Sequence, residues 1–254
     1  MSKFIWYDLV TPDLAVAKDF YAHVVGWKIE DSGVPGMEYL ILKANGVQVG
    51  GMMAPSPEMM EGAKGRPWMG HVHVASVDEI AAKAKTLGGK IYRPAADIPG
   101  VGRFAVLGDT TGAAFIIFHP NGEGEPAKVA DGTPGHIGWR ELMSGNWQKD
   151  WDFYAALFGW KKAEAMDMGP MGTYQLFETS GGQSGGMMTK SPDDGAMPHW
   201  NYYFNVESMA AAMKRASEKG AVFTGKAMEV PGGGFAINGK DPVGTPFSLY
   251  SLKA

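Results

Sequence analysis

Four side chains stand where chemistry could be done. Asp8 lies two residues after Trp6 in FIWYDLV, Glu141 lies two after Trp139 in HIGWREL, and both runs otherwise read as buried strand. An inward carboxylate is costly unless it is paired, hydrogen-bonded or protonated. That condition suits a tuned general base and suits equally a structural pair, for which Arg103 and Arg140 are the candidate cations. His71 and His73, in MGHVHVAS, alternate with Val72 and Val74, so both imidazoles share one strand face. Such a pair fits a polar wall that hydrogen-bonds a ligand better than a metal site, since no third ligand is compelling. Asp8, His71, His73 and Glu141 are therefore the catalytic candidates.

The elements that must position them come in copies. FYAHVVGW at Phe20 returns as FYAALFGW at Phe153, an offset of 133 residues. Trp6, Asp8 and Leu9 meet Trp139, Glu141 and Leu142 at that same offset. GGMM at Gly50 recurs at Gly185, and WMGHVHVASVDEI at Trp68 recurs more loosely as WNYYFNVESMAA at Trp200. The drift of these offsets is what loop insertions and deletions produce. Between the copies, PNGEGEPAKVADGTPG (120–135) is too rich in Pro, Gly and charge to build a core and reads as a linker.

Each half carries a weaker inner repeat. FIWYDLV is a strand; Thr11-Pro12-Asp13 supplies a cap and an N1 proline; Leu14, Ala17, Tyr21, Val24 and Val25 form an amphipathic helical stripe ending at Gly26. MEYLILKA and VQVGGMM follow as strands about the tight-turn pair Asn45-Gly46. GHVHVA then opens a second such module, with a capping box at Ser76–Glu79 and a helix closed by Gly88-Gly89. Phe20, Tyr21, Phe153, Tyr154, Trp27 and Trp160 are expected in the core. The stretches 54–67 and 189–198 are expected as loops able to cover a cleft, and the Gly-rich runs at Pro99 and Pro231 as turns, since neither has a phosphate-loop ending.

Composition excludes several classes of function. Lys+Arg 23 against Asp+Glu 27 leaves no basic footprint for nucleic acid and no polybasic tract for lipid. The absence of cysteine removes disulfides, thiolate nucleophiles and thiolate metal sites. The opening residues read as a strand, not as a signal peptide or membrane span. A cytoplasmic protein with a small-molecule partner is expected, as monomer or homodimer, with neither nucleic acid nor membrane as partner.

Paired βαβββ modules with FYxxxxGW after the first strand, GH-V-x-V before the second helix and D-x-x-G-x-x-F at the last strand resemble the vicinal-oxygen-chelate superfamily. That superfamily includes glyoxalase I, extradiol dioxygenases and bleomycin-resistance proteins. The resemblance implies an α+β chain of four βαβββ modules, paired into two glyoxalase-like half-open barrels: residues 1–119, the linker 120–135, and 136–254. It implies a cleft per half, and in enzymatic members a divalent metal held from the opening and closing strands. Those positions fall here on Trp6, His71, Gly51 and Ile116, and on Trp139, Tyr203, Gly186 and Ser248. His71 alone can bind a metal, so any divalent metal is expected in the first half only, with Asp8, His71 and His73 as a shifted set.

The cleft walls are expected from Trp6, Asp8, Met53, His71 and His73 in the first half and from Trp139, Glu141, Tyr203, Asn205, Ser248 and Tyr250 in the second. The leading expectation is a protein that binds a small, partly apolar molecule in an aromatic-lined cleft without a complete metal site. Two other readings stay open: a metal-dependent lyase or dioxygenase acting through the first half, and a structural or regulatory protein whose clefts are filled by its own side chains.

Overall fold

The computed structural model describes residues 2–34, 38–56, 67–122, 129–193 and 195–254. The first half runs β1 (Phe4–Val10), α1 (Leu14–Val24), β2 (Lys28–Asp31), β3 (Tyr39–Ala44) and β4 (Val47–Met53), then β5 (Trp68–His73), α2 (Val77–Thr86), β6 (Lys90–Ile98), β7 (Gly102–Gly108) and β8 (Ala114–Pro120). The second half repeats this as β9 (Ile137–Ser144), α3 (Trp147–Phe158), β10 (Lys161–Asp167), β11 (Thr173–Thr179) and β12 (Gly182–Thr189). Its second module follows as β13 (His199–Asn205), α4 (Met209–Glu218), β14 (Val222–Phe223), β15 (Met228–Glu229), β16 (Phe235–Lys240) and β17 (Pro246–Ser251). The duplicated α+β order expected from the repeats is the order found.

The strand order of the first half is β2-β3-β4-β1-β5-β8-β7-β6 and that of the second is β10-β11-β12-β9-β13-β17-β16-β14, with β15 paired to β16. Neither order closes on itself. Each helix makes a crossover, so β1 runs parallel to β4 and β5 parallel to β8, while the hairpins are antiparallel. Strand β8 ends at Pro120, the first residue of the 120–135 stretch, and residues 123–128 lie outside the described part. So do residues 57–66, which make up most of the first candidate lid, and Asp194 of the second.

The helix starts follow local chemistry. Asp13, Ser76, Asn146 and Ser208 cap α1, α2, α3 and α4, each accepting a hydrogen bond from a backbone N–H three residues on. At α1 the cap is Asp13, which corrects the expectation that the Thr11-Pro12 pair would supply cap and N1 residue. Thr11 is instead buried, and its Oγ1 has no hydrogen-bond partner among the described residues.

Contacts gather the chain into two compact units, each assembled from pieces of both halves: 1–6, 69–126 and 140–201 in one; 7–68, 127–139 and 202–254 in the other. In the first unit, Phe115 on β8 packs against Phe153, Tyr154 and Phe158 of α3, with ring centroids 5.4–6.3 Å apart. Trp160 lies flat on Phe177 at 4.7 Å. In the second unit, Phe20 and Tyr21 of α1 meet Phe247 of β17, and Trp27 meets Phe204 of β13 at 5.1 Å. Helix and sheet in each core thus come from different halves. The aromatic residues expected in the core are there: Phe20, Tyr21, Phe153, Tyr154, Trp27 and Trp160 are all buried.

The D-x-x-G turns bind the units internally. Asp241 accepts from the backbone N–H groups of Val243 and Thr245 and from the Tyr21 hydroxyl, which in turn accepts from the Trp68 indole. Burial pushes the Asp241 acid above its ordinary value.

Candidate functional site

In the unit holding residues 7–68, the parallel register places Asp8 opposite Gly51, and the antiparallel register places Ile41 opposite Gly51 and Tyr39 opposite Met53. Asp8, Tyr39, Ile41, Gly51 and Met53 therefore share one sheet face, while Leu9, Leu40, Leu42 and Met52 turn to the buried side. Tyr39 crosses this face diagonally. A Cβ on Gly51 would lie 2.0 Å from the Tyr39 hydroxyl oxygen, and that hydroxyl donates to Asp8 Oδ1 at 2.7 Å. Gly50 is needed for a different reason, because a Cβ there would lie 2.2 Å from the Tyr7 carbonyl oxygen. One glycine admits the neighbouring backbone and the other admits the ring.

The other unit repeats the device. Gly186 stands opposite Glu141, and a Cβ on it would meet the Tyr174 ring at 2.2 Å; Gly185 is pressed against the Arg140 carbonyl. Glu141 accepts from Asn201 Nδ2 at 3.1 Å. Of the cations suggested for these acids, Arg103 is engaged elsewhere, forking onto Asp78 at 2.8 Å and reaching Asp97 at 3.0 Å; Arg140 lies 6.0 Å from the Phe4 ring. Tyr39 and Tyr174 went unrecognised in the sequence. The signal was present, since EYLILK and TYQLFE recur at the same 135-residue offset as GGMM.

His71 and His73 face the same way, opposite Ile116 and Phe118 of β8, and Phe104 of β7 stands opposite Phe118. His71 is buried and meets Phe118 edge-on at 5.8 Å; His73 stacks on His119 at 6.0 Å. His119 holds Val74 O through Nδ1, and Arg93 lies 4.8 Å over the Phe104 ring. This wall is aromatic and carries cationic or protonatable groups. Trp6, in the same unit, is half-buried.

The equivalent wall of the second half has another chemistry. Tyr203 stands opposite Ser248 and Asn205 opposite Tyr250, and Ser248 donates to Asn238 Oδ1 at 2.7 Å. Asn205 donates to the Thr133 carbonyl, and its buried Oδ1 has no partner among the described residues; the same holds for His136 Nε2. Burial lowers the His136 pKa, favouring the neutral ring. Trp139 is half-buried. The wall is neutral, of amides and hydroxyls.

These residues do not fit a family-type divalent metal. Zinc, iron or manganese normally takes three or four N or O donors from protein. Among the described residues no group of three or more His, Asp or Glu side chains could hold a metal ion. The closing-strand positions Gly51 and Gly186 are glycines under tyrosine rings, so a ligating side chain has no room there.

The family described as Glyoxalase/Bleomycin resistance protein/Dioxygenase superfamily matches residues 3–117 and again 134–249. The protein CFP32 of Mycobacterium tuberculosis, a glyoxylase by name, is 30% identical over 247 residues, covering 96% of this chain and 92% of its own length. The anthracycline biosynthesis protein DnrV of Streptomyces peucetius is 29% identical over 265 residues, covering 98% and 92%. Among solved structures, the Mn(II)-bound glyoxalase from Novosphingobium aromaticivorans superposes with a TM-score of 0.65 at 18% identity, covering 100% of this chain and 84% of that one. At such identity the likeness is one of fold. With two family matches and two copies of every module, the chain belongs to the glyoxalase/bleomycin resistance protein/dioxygenase superfamily as a tandem duplication.

Proposed function

We propose that this chain binds a small, planar, partly apolar molecule against its open sheet faces, and that tyrosine–carboxylate pairing takes the place of a metal at the first acid. The observation that carries this reading is Tyr39: its ring fills the position where a closing-strand ligand would project, and its hydroxyl donates to Asp8. Asp8 and Tyr39 offer hydrogen-bond recognition and proton transfer, neither of which needs an ion. His71, Phe104, Phe118 and Arg93 give the first half a wall suited to a flat ring system with an anionic substituent. Relatives named for anthracycline biosynthesis accord with a chain that handles small organic molecules.

The test is titration with anthraquinone-2-sulfonate, a planar aromatic anion, followed by calorimetry, together with elemental analysis of protein purified without chelator. Saturable binding that survives chelator treatment and weakens at least several-fold in Tyr39→Phe is the expected result. Absence of binding in chelator-treated protein, restored by one equivalent of Mn(II), Fe(II) or Zn(II), would overturn it.

A further inference from the structure

A second acid network lies off the open faces, inside the unit that holds residues 69–122 and 140–201. Asp109 and Asp150 are both fully buried. Asp109 closes the β7–β8 turn: its Oδ1 accepts from the backbone N–H groups of Thr111, Gly112 and Ala113 at 2.7–3.0 Å. Its Oδ2 accepts from the Tyr154 hydroxyl at 3.1 Å, and that hydroxyl accepts from the Trp200 indole at 3.0 Å. Asp150, in the opening turns of α3, accepts from the hydroxyls of Thr110, Thr111 and Ser144. Thr111 Oγ1 also lies 3.3 Å from Asp109 Oδ1, so a single hydroxyl separates the two carboxyl groups.

None of these donors is a cation. Lys149 and Asp152 of α3 and Asp78, Glu79, Lys83 and Lys85 of α2 are exposed. Lys190, whose backbone N–H donates to the Ser144 carbonyl, has its ammonium 3.4 Å from the Ser191 carbonyl, and His199 Nδ1 is 2.8 Å from the Met197 carbonyl. The other unit supplies an internal control. It contains the same triad, Asp241, Tyr21 and Trp68, but Ala17 stands in the place of Asp150 and Thr11 in the place of Ser144. Among the described residues the Thr11 hydroxyl has no partner, as expected where the second carboxyl is missing.

Two buried carboxylates one hydroxyl apart cannot both ionise cheaply without a counter-cation. We propose that Asp109 and Asp150 form a proton-linked latch, which fastens the β7–β8 turn to the β9–α3 corner while the pair holds a proton and loosens when that proton leaves. The Asp109 acid is pushed up to about 6, first by burial and then by the Asp150 carboxylate. A raised pKa means that the folded chain holds the proton more tightly than the unfolded chain. The latch therefore contributes fully below the ordinary aspartate pKa and its contribution is lost as pH rises through about 6.

Thermal unfolding of the whole chain from pH 4.5 to 8.5 tests this, comparing wild type with Asp150→Asn. The readout is the slope of Tm with pH, not its level. The wild-type midpoint should fall relative to the variant between pH 5 and 7, and the two curves should run parallel above pH 7.5. Parallel curves throughout would overturn the proposal. Should Asp150→Asn fail to fold, carbon-13 NMR of the assigned Asp109 carboxyl in the wild type decides: its titration near pH 6 supports the latch, and its titration in the ordinary aspartate range overturns it.

Discussion

Tyr39 does two things at once, and each depends on a different neighbour. Its ring lies where a Gly51 side chain would project, and its hydroxyl donates to the buried acid Asp8. Tyr39→Phe should cost about 1–3 kcal/mol, the range for withdrawing a donor from a buried polar group. Gly51→Ala should cost about 1–3 kcal/mol as well, because the ring must leave its place to admit a methyl group. The double variant should cost less than the sum of the two single variants, since a displaced ring has already lost its hydroxyl bond. Urea unfolding of the four proteins measures the coupling. At this scale the sequence was half legible. The GGMM repeat and the paired acids stand out by spacing alone. That a tyrosine two strands away reaches across the glycine depends on register, which alternation within one strand does not encode. The same blindness assigned Arg103 to an inward acid, when its guanidinium lies at the surface with Asp78 and Asp97.

Elements were legible where an apolar stripe or a capping residue marked them. Helices α1 to α4 follow their caps, and Asn45-Gly46 makes the expected tight turn, with φ of 50° and 83°. The strands that went unread, β2 (KIED) and β10 (KKAEAMD), sit at sheet ends, where one hydrogen-bonding side and much of each face meet solvent. Charge there protects an edge and erases the alternation by which strands are recognised. The β1–α1 and β9–α3 connections give a matched pair of predictions, because equivalent hydroxyls have opposite environments. Ser144 donates to the buried Asp150, whereas Thr11 Oγ1 has no partner among the described residues. Ser144→Ala should therefore lose about 1.5–3 kcal/mol, and Thr11→Val should be neutral or stabilising by up to about 1 kcal/mol. Denaturant midpoints at constant m-value distinguish the two outcomes.

For the whole molecule, duplication could be read from the sequence but interlocking could not. An amphipathic stripe says that a helix buries one face; it does not say against which strands. Here α3, from the second half, covers Phe115 on β8 of the first, and α1, from the first half, covers Phe247 on β17 of the second. Neither half contains a complete aromatic core. Residues 1–119 expressed alone would expose the helix-covered face around Phe115, and residues 136–254 alone would expose Phe153, Tyr154 and Phe158, all buried in the intact chain. Apolar faces of that kind associate or aggregate in water. Each half by itself should give a weak near-ultraviolet circular dichroism signal and elute as self-associated material. The two mixed at equal concentration should recover the near-ultraviolet spectrum of the intact chain, as a complex of its size. A half that is monomeric, with native-like aromatic dichroism on its own, would mean that its helices and sheet can close a core without their partners, and the interlocked packing would then be a consequence of tethering and not its cause.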